Sequence, residues 1–190
     1  MSTTEKWKYD KAYTLENYHL QGLRADVVKA EIEAMQPATH YLDVGCGRGE
    51  SLQWARERGI YAVGTELVDA IIAENPLITF ADVCELPFQN DAFDYVSCYD
   101  VLEHLVPGDE QAALDELGRV CKGLLIITTN DRPSFLPTGE DLHVNKRPRA
   151  AWHQDIVDRF EPVNVRSTVF GPAGYEQWKW KINCEGFSPG

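Results

Sequence analysis

No stretch of the 190-residue chain approaches the roughly 20 consecutive apolar residues that a membrane helix needs. Met1-Ser2-Thr3-Thr4-Glu5-Lys6 lacks the basic-then-apolar pattern of a secretory leader, so a cytoplasmic protein is expected. The five cysteines, Cys46, Cys84, Cys98, Cys121 and Cys184, are odd in number and scattered, without a Cys-x-x-Cys pair. They read as reduced thiols, and no Cys/His spacing suited to zinc is present, so no metal is expected. Basic residues are also scarce: 18 Lys and Arg stand against 30 Asp and Glu, a net charge of -12. That balance argues against a nucleic-acid binder, which draws its affinity from basic surfaces facing phosphates. There is no internal repeat and no linker, and 44% hydrophobic content over this length supports one domain with a sizeable core.

What the chain does contain is organised around Tyr41-Leu42-Asp43-Val44-Gly45-Cys46-Gly47-Arg48-Gly49-Glu50-Ser51. An apolar run breaks into three alternating glycines and then turns amphipathic, which predicts strand, tight loop and helix. Such a loop lets a ligand approach the main chain, and the helix start offers N–H groups to it. A dinucleotide fingerprint, Gly-x-Gly-x-x-Gly, would require glycine at Glu50; here the third glycine comes one residue early, at Gly49.

Three further segments follow in order. Ile60 to Glu66 predicts a second strand ending in a carboxylate, able to accept from both hydroxyls of a ribose. Leu77 to Phe88 predicts a third strand that ends in Ala81-Asp82 and turns at Leu86-Pro87-Phe88. Phe93-Asp94-Tyr95-Val96 opens a fourth strand, with Val101-Leu102-Glu103-His104-Leu105 at its carboxyl end.

With Asp43 two residues before Gly45, the glycine segment resembles motif I of class I S-adenosylmethionine-dependent methyltransferases. The fourth-strand segment is similar to the small-molecule, ubiquinone-biosynthesis-like (type 11) branch of that family. The resemblance covers about Tyr41 to Thr129 and extends more weakly to the end. It implies an α/β, Rossmann-like three-layer sandwich: a seven-stranded, mostly parallel sheet with an antiparallel C-terminal hairpin strand. The cofactor it implies is S-adenosyl-L-methionine, with S-adenosyl-L-homocysteine as product. Carried over position by position, it assigns cofactor binding to Asp43, Gly45, Cys46, Gly47, Gly49, Glu66, Leu67, Asp82, Val83, Tyr99 and Asp100. Asp82 would accept from the adenine amino group. Glu66 would hold the ribose, and Tyr99 and Asp100 would face the methionine part.

The remaining stretches predict the walls of the site. Residues 1–38 form a helical preface, with apolar residues at helical spacing from Leu15 to Met35 before Pro37. Its Tyr9, Tyr13 and Tyr18 are lid candidates, because small-molecule relatives cover their ligands with an aromatic-rich N-terminal segment. Residues 39–129 make the cofactor-binding core. The segment 130–160 is an acceptor-side loop and helix, and 161–190 two closing strands. Between Arg132 and Arg149, four basic side chains (Arg132, Lys146, Arg147, Arg149) face two acids (Glu140, Asp141), which favours an anionic or sugar-type acceptor. Long loops inside small domains are often functional. His143, and less strongly His153, flank this loop.

The expected reaction is transfer of the cofactor's methyl group to a small-molecule acceptor, with alignment and water exclusion as the protein's main contribution. His104 is the candidate base, because an imidazole titrates near neutral pH. Acceptor contacts are expected from Tyr9, Tyr13, Tyr18, His104, Arg132 and His143. Three alternatives stay open: an aminopropyl transferase, whose additional acidic motifs are not seen; a nicotinamide oxidoreductase, disfavoured by the glycine spacing; and a catalytically silent subunit that binds a partner protein.

Overall fold

Strand β1 (His40–Val44) lies in the middle of the sheet and is buried from Tyr41 onward, as a strand covered on both faces must be. In the computed structural model, which describes residues 3–15, 22–37, 39–160, 165–170 and 177–187, six more strands flank it. They are β2 (Tyr61–Glu66), β3 (Ile78–Phe80), β4 (Phe93–Tyr99), β5 (Cys121–Thr129), β6 (Val165–Phe170) and β7 (Gln177–Asn183). The order is β3-β2-β1-β4-β5-β7-β6. The first five run parallel, while β7 pairs antiparallel with both β5 and β6. This is the mostly parallel, seven-stranded sheet with a closing antiparallel hairpin that the resemblance implied.

Helices cover both faces. On one, α5 (Glu110–Val120) and α6 (Arg149–Phe160) bring Leu114, Leu117, Trp152 and Phe160 into a shared core. On the other, α2 (Gly22–Ala34), α3 (Glu50–Glu57) and α4 (Asp69–Glu74) contribute Val28, Ile32, Leu52 and Ile71, with Tyr9 and Ala12 of α1 (Thr3–Ala12) at its margin. The helical preface is thus two helices, separated by a segment that includes Tyr18 and lies outside the described residues. None of the helices among the described residues is long and apolar enough to cross a membrane.

Two connections matter for the site. The chain order reverses at β1, which pairs with β2 on one side and β4 on the other, and ligands of open α/β sheets bind at the carboxyl ends of strands at such a point. At the far end of α5 there is no loop: Cys121, capping the helix, is the first residue of β5. Val120 ends α5, and Cys121, Lys122 and Gly123 already belong to β5.

Candidate active site

The strand tips β1, β2 and β4 open on one cavity of about 420 Å³, roofed by α1 and by the loop from Arg132 to His143. Its floor begins at β1. The β1–β4 register sets Ser97 beside Asp43, and Ser51 reaches the same carboxylate from the first turn of α3. Both hydroxyls donate to it. Burial nevertheless raises the Asp43 carboxyl to about 6, because two neutral donors do not replace water around a charge.

The loop then turns back over β2. Gly45 has φ +71°, and a Cβ there would sit 2.4 Å from Val101 Cγ2. Gly47, at φ +57°, would bring its Cβ to 2.9 Å from the Tyr13 hydroxyl. Only glycine fits a backbone so turned and so closely covered. Glu66, at the tip of β2, accepts from the Gly47 N–H at 3.1 Å and its own neighbour Leu67 N–H at 2.7 Å. Burial raises its carboxyl as well, against the pull of those two N–H donors.

At the tip of β4, Asp100 takes φ +53°, a left-handed conformation uncommon for a residue with a side chain and frequent where a site stores strain. The surroundings hold it there. Its backbone N–H donates to the Thr128 carbonyl, Thr128 Oγ1 and Gln177 Nε2 donate to its carboxylate, and Arg24 pairs with it at 2.9 Å. Three residues on, Glu103 is fully buried and accepts from Thr129 Oγ1 at 2.8 Å and Asn130 Nδ2 at 2.7 Å. Burial, and then the Asp100 charge, push its carboxyl well above the ordinary range.

The other end of the cavity carries two imidazoles. His104 Nδ1 lies 2.9 Å from the Leu142 carbonyl, and His143 Nδ1 lies 2.5 Å from the Arg132 carbonyl. A carbonyl only accepts, so each Nδ1 carries the proton and each Nε2 keeps the lone pair. The Tyr9 hydroxyl, 2.6 Å from His104 Nδ1, donates instead to the Leu142 carbonyl at 3.0 Å. The two rings meet edge to face with centroids 4.6 Å apart. Burial, and then the His143 ring, lower His104 to about 4, and burial lowers His143 too, so both are neutral at physiological pH.

Nearly all of the residues expected from the sequence gather here. Asp43, Gly45, Cys46, Gly47, Glu66, Leu67, Val83, Tyr99 and Asp100 line the cavity, as do Tyr9, Tyr13, His104, Arg132 and His143. Gly49 and Asp82 do not. Gly49 starts α3 and faces Asn75, and the Asp82 carboxylate turns to the Cys84 N–H at 3.0 Å, leaving Ala81 and Val83 as the cavity wall. Tyr18 lies outside the described residues. His153 accepts from the Trp180 indole at 3.1 Å and serves packing between α6 and β7. Of the basic residues in the acceptor loop, Lys146 pairs with Asp141, Arg147 with Asp155 and Glu110, and Arg149 with the Ser167 hydroxyl. Only Arg132 among the four reaches the cavity. Arg24, Thr65 and Gln177 were not anticipated. Arg24 and Gln177 sit in amphipathic runs without a distinguishing pattern.

An adenosyl cofactor fits this lining. Thr65 Oγ1 and Tyr99 OH are buried at the cavity without a hydrogen-bond partner among the described residues, as expected of groups that await a polar ligand. Glu66 offers a carboxylate able to accept from the two hydroxyls of a ribose, and Ala81 and Val83 an apolar wall for a flat base.

Comparisons with known proteins agree. Residues 42–127 match the model of the type 11 methyltransferase-domain family. An uncharacterized protein of Methanocaldococcus jannaschii, MJ1252, is 33% identical over 128 residues, 63% of this chain and 46% of that protein. The chain spans about half the length of the curated relatives it matches. In fold, it is similar to PH0226 of Pyrococcus horikoshii, with TM-score 0.68 and 16% identity over 86% of this chain and 91% of the other. It is also similar to magnesium protoporphyrin IX methyltransferase of Synechocystis with bound S-adenosylmethionine, with TM-score 0.61 and 16% identity over 96% and 85%. From β1 to β5 the chain is thus similar to the methyltransferase domain that this family model describes, on a sheet of the order that these solved structures share.

Proposed function

We propose that the protein transfers a methyl group from S-adenosylmethionine to a hydroxyl of a small, anionic acceptor, working in the cytoplasm. One observation carries this reading: a single cavity joins the cofactor-type lining at the tips of β1 and β2 to an acceptor-type lining of His104, His143 and Arg132. The sulfonium of the bound cofactor supplies the electrophilic methyl group. The protein's own residues then have four tasks. Glu66 and the loop at Gly45 and Gly47 hold the adenosyl part, with Ala81 and Val83 against the base. Tyr99 and Asp100 border the methionine part. Tyr9 and Tyr13 roof the cavity and exclude water. Arg132 receives the acceptor's negative charge, a role for which its fork of donors is suited.

His104 stands at the acceptor end of the cavity, where it positions the acceptor hydroxyl. A lone imidazole lowered to about 4 is a weak base at neutral pH, so His104 in this reading positions the nucleophile more than it carries the proton away. The division of the chain into lid, core, acceptor segment and closing strands belongs to the same proposal.

The test is a screen of hydroxylated acids, phosphates and sugar acids with radiolabelled S-adenosylmethionine, scored by label in the acceptor. With the acceptor in hand, Arg132→Gln should raise KM about tenfold or more with a smaller change in kcat, and His104→Ala should lower kcat at least about tenfold. Full turnover in His104→Ala would remove that residue from the chemistry.

A further inference from the structure

We propose that His104 and His143, with the Glu103 carboxylate, form a binding site for one divalent first-row transition-metal ion at the acceptor end of the cavity. One donor atom from each of these three residues lies within 4.8 Å of the other two. Donors held about 2.1 Å from a common ion stand roughly 3–4.3 Å apart, so small side-chain rotations close the site.

The surroundings prepare both imidazoles for this role. Each Nδ1–H is fixed on a backbone carbonyl, Leu142 for His104 and Arg132 for His143, which sets the tautomer and leaves each Nε2 as a lone-pair donor. Metal-binding histidines are typically held in this way by the nitrogen that does not bind the ion.

Glu103 supplies the electrostatic motive. Its carboxylate is fully buried beside Asp100, and the donors to it, Thr129 and Asn130, are neutral. Arg24 pairs with Asp100. A buried carboxylate held only by neutral donors is costly, and a dication beside it offsets that cost. Each donor occupies one lone pair of a different Glu103 oxygen, so an oxygen remains able to ligate. Two imidazoles and one carboxylate suit Mn²⁺, Fe²⁺, Co²⁺ or Zn²⁺ better than Mg²⁺ or Ca²⁺, which prefer all-oxygen shells.

His104 and His143 line the cavity and Glu103 is buried next to them, so further ligands to the ion would come from the cavity side. What the ion does there rests on the methyl-transfer reading; that it binds does not. An acceptor hydroxyl bound to the ion loses its proton to water more readily. Its oxygen then forms the new O–C bond as the S–C bond of the cofactor breaks, with that electron pair staying on sulfur.

The test is titration of tag-free, chelator-stripped protein with Co²⁺, followed by visible absorption and calorimetry, without cofactor or acceptor. One equivalent should bind, and His104→Ala and His143→Ala should each weaken binding at least about tenfold, with Glu103→Gln also weakening it. Absence of Co²⁺ binding by the wild type, or equal binding by the double histidine variant, would overturn the proposal. Should a variant fail to fold, proton NMR of the Co²⁺-loaded wild type decides: two contact-shifted, exchangeable imidazole N–H signals are expected, and none would contradict the site. S-adenosylhomocysteine binding is measured in parallel. Protein that binds the nucleoside and no Co²⁺ defeats the metal site alone; protein that binds Co²⁺ and no nucleoside defeats the methyl-transfer reading.

Discussion

Asp43 is a carboxylate that folding makes harder to ionise. Its folded value of about 6 lies above the ordinary 3.8, so the folded state holds a proton that the unfolded state has already lost. Stability from this group is fully present below about pH 4 and is lost as the pH rises through 6. The rise from 3.8 to about 6 corresponds to roughly 3 kcal/mol. In melting curves taken from pH 4 to 7, the wild type should lose stability relative to Asp43→Asn; parallel curves would show that Asp43 is not raised. Gly45 gives a second prediction at this scale. Alanine there meets both a left-handed φ and the Val101 methyl group, so urea denaturation should show a loss of about 2 kcal/mol or more. The need for glycine was legible in the sequence because the residue type itself reports the backbone. The direction of Asp82 was not: its carboxylate serves the Cys84 N–H, a local choice that spacing does not encode.

The elements explain how a long loop is held in place. Helix α1 is tied to the acceptor loop by Tyr9 on Leu142, Lys8 on the Asp141 carbonyl and Lys11 on Thr138. Tyr9→Phe removes the hydroxyl shared between His104 and Leu142 and should cost about 1 kcal/mol locally. Hydrogen exchange should then quicken about fivefold in α1 with little change in β1; an unchanged α1 would mean that the hydroxyl does not fasten the lid. The closing strand β7 has a similar supporting role, because Gln177 donates to Asp100 from across β5. Gln177→Ala should lower stability by about 1–2 kcal/mol, measured by urea denaturation, by leaving that carboxylate short of a donor. The individual strands were readable from apolar runs and turn residues, and the mostly parallel sheet from the family resemblance. The polar end of β5 is legible as well: Thr128 and Thr129 finish a buried strand, Asn130 follows it, and they hold Asp100 and Glu103. Positions 103, 104 and 143 have no mutual spacing to read, and only the fold brings them together.

At the scale of the whole molecule, a chain of net charge -12 surrounds a cavity lined by both signs. The basic surplus of the acceptor loop does not form a patch, since three of its four cations have partners there or on α5, α6 and β6. Of the four, the one that reaches the cavity is Arg132, which the linear count did not distinguish from its neighbours. The cofactor end, by contrast, follows almost directly from residue order, because each motif ends a parallel strand and all parallel strands end on the same side.

The most direct test of the account is calorimetric titration of S-adenosylmethionine, S-adenosylhomocysteine and NAD into wild type and Glu66→Ala. The adenosyl ligands should bind the wild type, NAD should not compete, and the variant should bind about 10- to 100-fold more weakly, the worth of a charge-assisted pair of hydrogen bonds. Absence of adenosyl binding to folded wild-type protein, or equal binding by Glu66→Ala, would contradict the assignment of this cavity as the cofactor site.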